Sequence, residues 1–197
     1  MMLSFFLCHN CCHIFSPYIS RMHVLADAYK IADIAPLLLS DEIRKTNIIE
    51  VVYSAGVLTF TTQRIVTSIV KALNVVHPKA RFISVSNFLT YFYIKKSCDA
   101  IVINSYCGNF FYREVIDGKL SEQSSDLLET LKSKYKNIVM DSDILNNDTN
   151  LAYMQYVALC NYFNGEIPDV INDEKGLIKE TIEIEYSSTP LYRKIGK

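Results

Sequence analysis

A β-branched run, a glycine turn and a long helical pattern follow one another near the middle of the chain. Residues 48–53, with the sequence IIEVVY, are typical of a buried strand, and Ser54-Ala55-Gly56 marks its end. Apolar residues then recur at helical spacing from about residue 61 to residue 75, and His77-Pro78 ends that pattern. A strand that turns directly into a helix buries its apolar face against that helix. We therefore expect layers of helix on sheet.

Strand and helix patterns continue to alternate along the rest of the chain. Asp117-Gly118 predicts a hairpin turn, Asp148 is a candidate N-cap, and Gly165 follows a helix end. The predicted strands are a first hairpin that turns near His9-Asn10, then 81–85, 99–104, 109–116, 137–140 and 180–185; the predicted helices are 23–39, 87–95, 122–135 and 148–163. The pattern predicts the α/β class, with helices packed on a mixed sheet. We expect a seam near residues 95–98 that divides the chain into two small lobes, residues 1–97 and 98–197.

Composition excludes several classes of function. Half of the 197 residues are hydrophobic and 21% are charged, a balance typical of folded proteins. The net charge is −1 and the basic residues are scattered, so autonomous nucleic-acid binding is not expected. No apolar run approaches the ~20 residues of a membrane span, and the apolar opening is too short for a secretion signal. We expect a cytoplasmic protein with reduced cysteines.

The opening segment holds five potential metal ligands within six residues, from Cys8 to His13. A structural zinc ion usually takes two separated ligand pairs, whereas Cys8 and Cys11 supply one pair. A redox Cys-x-x-Cys precedes a helix, but the residues up to Pro17 favour extended backbone. The simplest interpretation is a hairpin whose cysteines pack as small apolar residues. A zinc-dependent interaction module that uses Cys8 to His13 stays open as an alternative.

No catalytic, cofactor-binding or metal-binding residues are predicted. Ser54, Ser84 and Ser86 have no histidine nearby in the sequence that could act as a base. Asp141 and Asp143 follow a predicted strand, where a loop that leads into a helix explains them better than a metal site does. The side chains therefore give no direct sign of an enzyme.

The loop after the strand at 48–53 carries the most specific pattern in the chain. Residues 56–65, GVLTFTTQRI, resemble without a gap the Gly-Pro-Gly-Ser-Phe-Thr-Gly-Leu-Arg-Ile signature of the TsaB (YeaZ) family. The matching residues are Gly56, Phe60, Thr61, Arg64 and Ile65. Weaker similarities follow the family's order at residues 35–38, 83–89, 104–111 and 189–193. The resemblance implies the actin-like ATPase (ASKHA, ribonuclease H-like) fold of the TsaD relatives, a mixed sheet with flanking helices.

Some departures from the patterns of the family and its superfamily bear on chemistry. Leu58 and Thr62 stand where the family has glycine, so side chains block the close approach of backbone to phosphate. Phe6-Leu7 stands where active superfamily members have an Asp-Thr pair near Mg²⁺ and phosphate, and a phenylalanine cannot coordinate that ion. The resemblance thus implies a chain without catalysis or cofactor. The alternative is a live ATP-binding or peptidase-like enzyme of this superfamily.

The resemblance also implies partners. In the family's pathway TsaD transfers threonylcarbamoyl to tRNA adenosine, TsaB binds TsaD as a scaffold, and the ATPase TsaE joins them. The chain would then contact tRNA only through the complex, and it would not bind a membrane. The isolated chain could form a homodimer. The family's first two helices, here 23–39 and 61–75, form the TsaD interface. Its expected residues are Leu25, Ala28, Ala32, Ala35, Ile65, Ile69 and Leu73. We expect Ile69→Asp to abolish co-purification with TsaD while the monomer stays folded.

Overall fold

The described part of the chain forms strands and helices that alternate almost throughout. The computed structural model describes residues 2–7, 12–16, 19–23, 47–104, 108–145 and 150–182, apart from 166, 170, 172 and 174. The strands are β1 (Met2–Leu7), β2 (Cys12–Ser16), β3 (Ile19–His23), β4 (Glu50–Ala55), β5 (Arg81–Ser86), β6 (Ala100–Asn104), β7 (Phe110–Ile116), β8 (Lys119–Leu120), β9 (Ser124–Asp126), β10 (Ile138–Met140) and β11 (Ile178–Glu180). The helices are α1 (Phe60–Val76), α2 (Asn87–Ile94), α3 (Leu128–Lys134), α4 (Asp141–Leu145) and α5 (Leu151–Tyr162). None of these helices has the length and apolarity to cross a bilayer.

The larger sheet has six strands in the order β11-β5-β4-β1-β2-β3. Strand β1 runs parallel to β4 and antiparallel to β2, and β4 runs parallel to β5. The first five strands of the chain thus lie in the order 3-2-1-4-5 with the second reversed, which is the arrangement of ribonuclease H-like sheets. The α/β class and the mixed ASKHA-like sheet predicted from the sequence are confirmed.

The two faces of this sheet bury different cores because side chains alternate along each strand. From β1, Leu3, Phe5 and Leu7 join a cluster with α1, while Met2 and Phe6 join a second cluster with α2 and α5. The same alternation separates Val51 and Tyr53 from Val52 in β4. A central sheet covered on both faces explains why its strands read as nearly continuous apolar runs.

The second sheet contains β10, β6, β7 and β8 in that order, with β9 also paired to β7. The predicted hairpin of residues 99–104 and 109–116 is confirmed as β6 and β7. At the next turn, Asp117 and Gly118 have φ angles of 50° and 71°, the conformation that a two-residue hairpin turn requires. Val115 pairs with Leu120 across it. The turn predicted from Asp117-Gly118 is therefore confirmed.

Three predicted elements have other boundaries in the structure. The helix predicted at 122–135 begins only at Leu128, because Ser124–Asp126 pairs with β7 as β9. The strand predicted at 180–185 is found at Ile178–Glu180, antiparallel to β5, and its residues 183–185 lie outside the described part. His23, where a helix was predicted to begin, ends β3, and the rest of that predicted helix also lies outside the described residues. Strand β3 and helix α4 were not predicted.

The ends of the long helices follow the predicted signals closely. Helix α1 extends from residue 60 to residue 76, and the N–H of His77 donates to the Leu73 carbonyl oxygen at its end. Helix α5 is capped by Asn150, whose side chain accepts from the Tyr153 N–H; Asp148 lies outside the described residues. Gly165, with φ of 103°, closes α5 as predicted.

The predicted seam near residues 95–98 separates the strands of the two sheets in part only. Strands β1 to β5 and β6 to β10 fall on opposite sides of it, but β11 belongs to the larger sheet. Helix α5 also packs on that sheet, where the Ser4 hydroxyl donates to the Ala152 carbonyl oxygen at 2.8 Å. The division into lobes 1–97 and 98–197 remains a prediction.

Candidate functional site

The loop between β4 and α1 lies at the carboxyl edge of the parallel strands. Ala55 and Ser86 are register partners there, so the turn into α1 and the start of α2 meet at the same edge. Gly56 has a φ of 103°, and a Cβ atom on it would lie 3.3 Å from the Ser86 hydroxyl oxygen. This conformation and this contact together explain why glycine is required at the first signature position.

Side chains of the loop and of the first turn make hydrogen bonds with each other and with the backbone at the start of α1. The Thr59 hydroxyl accepts from the Thr62 N–H at 3.2 Å, and the two hydroxyl oxygens lie 2.7 Å apart. The Gln63 amide donates to the Gly56 carbonyl oxygen at 3.3 Å. Thr62 is buried, and Leu58 packs against the core below α1. The loop is therefore held by its own hydrogen bonds, and its two departures from glycine serve the cap and the core.

The signature residues separate into buried and exposed positions. Ile65 is half-buried and packs against the α1 core, whereas Thr61 and Arg64 are exposed. Phe60 begins α1, and its side chain lies outside the described part of the structure. The signature thus combines a turn glycine, a core contact and a polar surface.

Phe6 and Leu7 are fully buried, one on each face of the larger sheet. The ring centroid of Phe6 lies 6.2 Å from that of Tyr91 in α2. Leu7 joins the α1 cluster, and its N–H donates to the Ser54 hydroxyl oxygen at 3.0 Å. The residues at this position offer no carboxylate to a cation and no polar surface to a phosphate, so they do not fit Mg²⁺–nucleotide binding.

The sequence-predicted interface residues that the structure describes point into the chain's own core. Ile69 and Leu73 are 2% and 0% exposed and pack in one cluster with Leu3, Phe5 and Val51. This burial favours the opposite of the expectation that Ile69→Asp leaves the monomer folded, because the new carboxylate would be buried. The other expected residues, Leu25, Ala28, Ala32 and Ala35, lie outside the described residues.

The exposed face of α1 consists of residues that the sequence reasoning did not select as interface residues. Arg64, Ser68, Lys71 and Val75 are all exposed, at spacings of four, three and four residues. Val75 is 79% exposed, the largest value among the large apolar side chains described. The missed signal was the helical wheel, which places this stripe opposite Val66, Val70 and Leu73.

The two described residues of the opening cysteine segment belong to the core. Cys12 is fully buried in the α1 cluster, and Cys8 to Cys11 lie outside the described residues. His13 is 4% exposed, and its Nδ1 accepts from the Leu151 N–H at the start of α5 at 2.7 Å. Within the described ranges no group of three or more His, Cys, Asp or Glu side chains could hold a metal ion. The predicted returning strand is confirmed as β2.

Because His13 must be neutral to accept this hydrogen bond, we predict that acid weakens the fold through it. Burial lowers the pKa of His13 below its ordinary 6.5. The unfolded chain then binds a proton at His13 more readily than the folded chain does. The stabilisation that neutral His13 gives to the fold is therefore complete above pH ~6.5 and is lost as the pH falls through the folded pKa. Urea unfolding should show a steeper loss of stability on acidification for the wild type than for His13→Gln, whose amide oxygen can accept the same N–H. Equal pH slopes for the two proteins would contradict this role.

The carboxylates of Asp141 and Asp143 each accept a hydrogen bond from a backbone N–H group nearby in the chain. The Asp141 carboxylate accepts from the Ser142 N–H, and that of Asp143 accepts from the Met140 N–H at 3.1 Å. Burial raises the pKa of Asp141. Both residues begin α4, as expected for a loop that leads into a helix.

Known proteins resemble this chain at the level of fold. No family model matches the chain, and no curated protein matches it. Among solved structures, YeaZ from Pseudomonas aeruginosa is 14% identical, with a TM-score of 0.49 over 66% of this chain and 68% of that one. A second structure, described as an uncharacterized protein with similarity to peptidase YeaZ from Pseudomonas aeruginosa, is 12% identical, with a TM-score of 0.46 over 64% and 66%.

Proposed function

We propose that this chain is a divergent, non-catalytic scaffold subunit of the TsaB type. It would bind a TsaD-type threonylcarbamoyltransferase in the cytoplasm, with a TsaE-type ATPase as third member, and support threonylcarbamoyladenosine modification of tRNA. Its support is the ungapped resemblance at residues 56–65 and the ribonuclease H-like order of the larger sheet. The tRNA would be met through the complex, since the basic residues of this chain form no concentrated face in the sequence.

The observation that carries the non-catalytic part is the burial of Phe6. At the position where active relatives place a carboxylate for Mg²⁺, this chain packs an aromatic ring against Tyr91. Leu58 and Thr62 contribute to core and cap instead of opening the loop to phosphate. A chain with this fold and these substitutions is best suited to holding a partner that performs the chemistry.

The outward stripe of α1 is the part of the described surface that we assign to the partner. Arg64 and Lys71 give it two cations, and Val75 adds an exposed apolar side chain near the end of the helix. Interfaces commonly combine such an apolar anchor with a polar rim. The inner residues Ile69 and Leu73 would then support this surface from below.

We predict that Val75→Asp weakens binding to the cognate TsaD-type subunit by about tenfold or more, since a charge replaces an apolar anchor. The two chains would be co-expressed and analysed by size-exclusion chromatography, and the dissociation constant measured by calorimetry. Leu127→Asp is the matched control, because Leu127 is 55% exposed at the start of α3. Unchanged binding by Val75→Asp would remove the stripe as the contact. Failure of the wild-type chain to bind any TsaD-type subunit would overturn the proposed function.

A further inference from the structure

A cleft of about 580 Å³ opens between α2, the end of α5 and the turn that joins β7 to β8. Its size falls within the range of small-molecule sites, roughly 300–1,000 Å³. It lies away from the signature loop and from the outward stripe of α1, and nothing in the proposed scaffold role uses it.

The floor of the cleft is apolar and its sides are aromatic. Leu89, Leu120 and Leu177 line it and are almost completely buried. Tyr93 and Tyr162 line it as half-buried rings that can stack on a planar ligand. Burial raises the pKa of both phenols, that of Tyr162 to about 12, so both hydroxyls keep their protons at neutral pH.

One wall of the cleft is fixed by a buried arginine. Arg113 is 5% exposed, and its guanidinium donates to the Ser121 carbonyl oxygen at 2.7 Å and to the Lys175 carbonyl oxygen at 3.0 Å. It also lies over the Phe88 ring, 5.6 Å from the centroid. These contacts join the segment after β8 to the segment before β11, so the cleft exists before any ligand arrives.

Asp173 fixes the segment that carries Lys175 and Leu177. Its carboxylate accepts from the N–H groups of Lys175, Leu177 and Ile178 and from the Tyr162 hydroxyl. The negative charge of Asp173 is therefore compensated by four donors. Among the described residues that line the cleft there is no carboxylate.

The charged side chains among the described lining residues are those of Lys119 and Lys175, and both are positive. Lys119 stands exposed at the rim, and Lys175 lines the wall with its ammonium on the Leu120 carbonyl oxygen at 2.7 Å. A third ammonium, that of Lys96, lies 4.9 Å from the centroid of the Tyr93 ring. Asn161 and Asn164 add amide groups at the open side. Aromatic faces lined by cations and amides in the same cleft are complementary to a flat ring that carries an anionic group.

We propose that this cleft binds a small planar aromatic anion, with the ring between Tyr93 and Tyr162 and the anionic group toward Lys119 and Lys175. The floor residues exclude water from the ring, while Lys119 and Lys175 select for negative charge. Its lining residues are not those of the α1 stripe, so this proposal does not rest on the proposed partner.

The test uses two probes of the same shape, 2-naphthoate and the uncharged 2-naphthamide, added to the ¹⁵N-labelled full chain. We expect 2-naphthoate to shift the backbone amide signals of Gly118, Asn164 and Leu177 and to bind about tenfold more tightly than 2-naphthamide. Lys119→Glu should weaken 2-naphthoate binding by about tenfold or more and leave 2-naphthamide nearly unchanged. Lys79→Glu, an exposed lysine outside the cleft, is the matched control.

Three results would overturn the proposal. The first is the absence of shifts at these amides up to the solubility limit of 2-naphthoate. The second is equal affinity for the charged and uncharged probes, which would make the cleft a plain apolar site. The third is an equal effect of Lys119→Glu and Lys79→Glu, which would show only the net charge of the chain. Unchanged amide spectra outside the cleft would confirm that each variant is folded.

Discussion

The Phe6→Asp variant is expected to lose about 5 kcal/mol or more of the free energy of unfolding, enough to unfold most domains of this size. Phe6 is fully buried on the α2 side of the larger sheet, in a cluster that includes Val52 and Ile83. A carboxylate there would lose its hydration, and the apolar cluster offers it no hydrogen-bond donor. Urea unfolding followed by circular dichroism would measure the loss. The substitution restores the residue type of active superfamily members, yet we expect it to destroy the fold.

Two further variants separate charge from lost volume. Phe6→Leu keeps the position apolar and should cost about 1–2 kcal/mol. Ile49→Asp places the same charge just before β4, where the side chain is 55% exposed, and should cost about 0.5 kcal/mol or less. If Phe6→Asp were as stable as Phe6→Leu, the carboxylate must have found water or a donor. In that case the position could still hold charge, and the alternative of an ATP-using enzyme would return.

The expected instability of Phe6→Asp indicates that a catalytic aspartate could not be introduced at this position by one substitution. A catalytic aspartate at a sheet edge needs a wet, polar pocket around it, whereas Phe6 is covered by Tyr91 and the α2 cluster. Once that pocket is filled by apolar side chains, the change cannot be reversed at one position. Reversal would require several simultaneous substitutions around Phe6. The apolar packing around Phe6 therefore contributes to the stability of the fold.

Local signals predicted most of the fold. The β-branched run before Gly56, the apolar spacing of α1 and the stop at His77-Pro78 each act over a few residues, and the structure places them close to their predicted bounds. The turn at Asp117-Gly118 could also be predicted from a local signal, because both residues tolerate positive φ angles. Patterns of this kind depend on backbone preferences that neighbouring residues cannot easily override.

The features that the sequence could not predict depend on contacts between residues that are far apart in the chain. Ser124–Asp126 has a polar pattern with no strand signal, and it becomes β9 because the edge of β7 is available for pairing. The start of α5 is held by His13, more than a hundred positions earlier in the chain. No local pattern marks either contact. The structural role of His13 likewise depends on where α5 packs.

The candidate interface shows the same limit. An apolar face on α1 fits a partner helix and the chain's own sheet equally well, and the sequence does not say which of them covers it. In the structure the strands β1 and β4 cover Ile69 and Leu73. On the described face of α1, the outward stripe that contains Lys71 and Val75 is therefore the surface that we propose for a partner.

The Ile69→Asp variant is accordingly expected to unfold the chain, with a loss of about 4–5 kcal/mol or more in the free energy of unfolding. Ile69 is 2% exposed among Leu3, Phe5 and Val51, so the new carboxylate would have no water and no donor. Loss of co-purification with a TsaD-type subunit would then report unfolding rather than a broken contact. Ile69→Ala should cost about 2–4 kcal/mol through the cavity alone.

Lys71→Asp provides the matched control, because Lys71 lies two residues later on the exposed side of the same helix. It should unfold at nearly the urea concentration of the wild type, and a loss of partner binding by this variant would then be a loss of contact. If Ile69→Asp instead unfolded at the wild-type concentration, the residue could not be packed on β1 and β4, and the inner face of α1 would again be open to a partner. Measuring both variants for stability and for binding assigns each face of α1 to the core or to the interface.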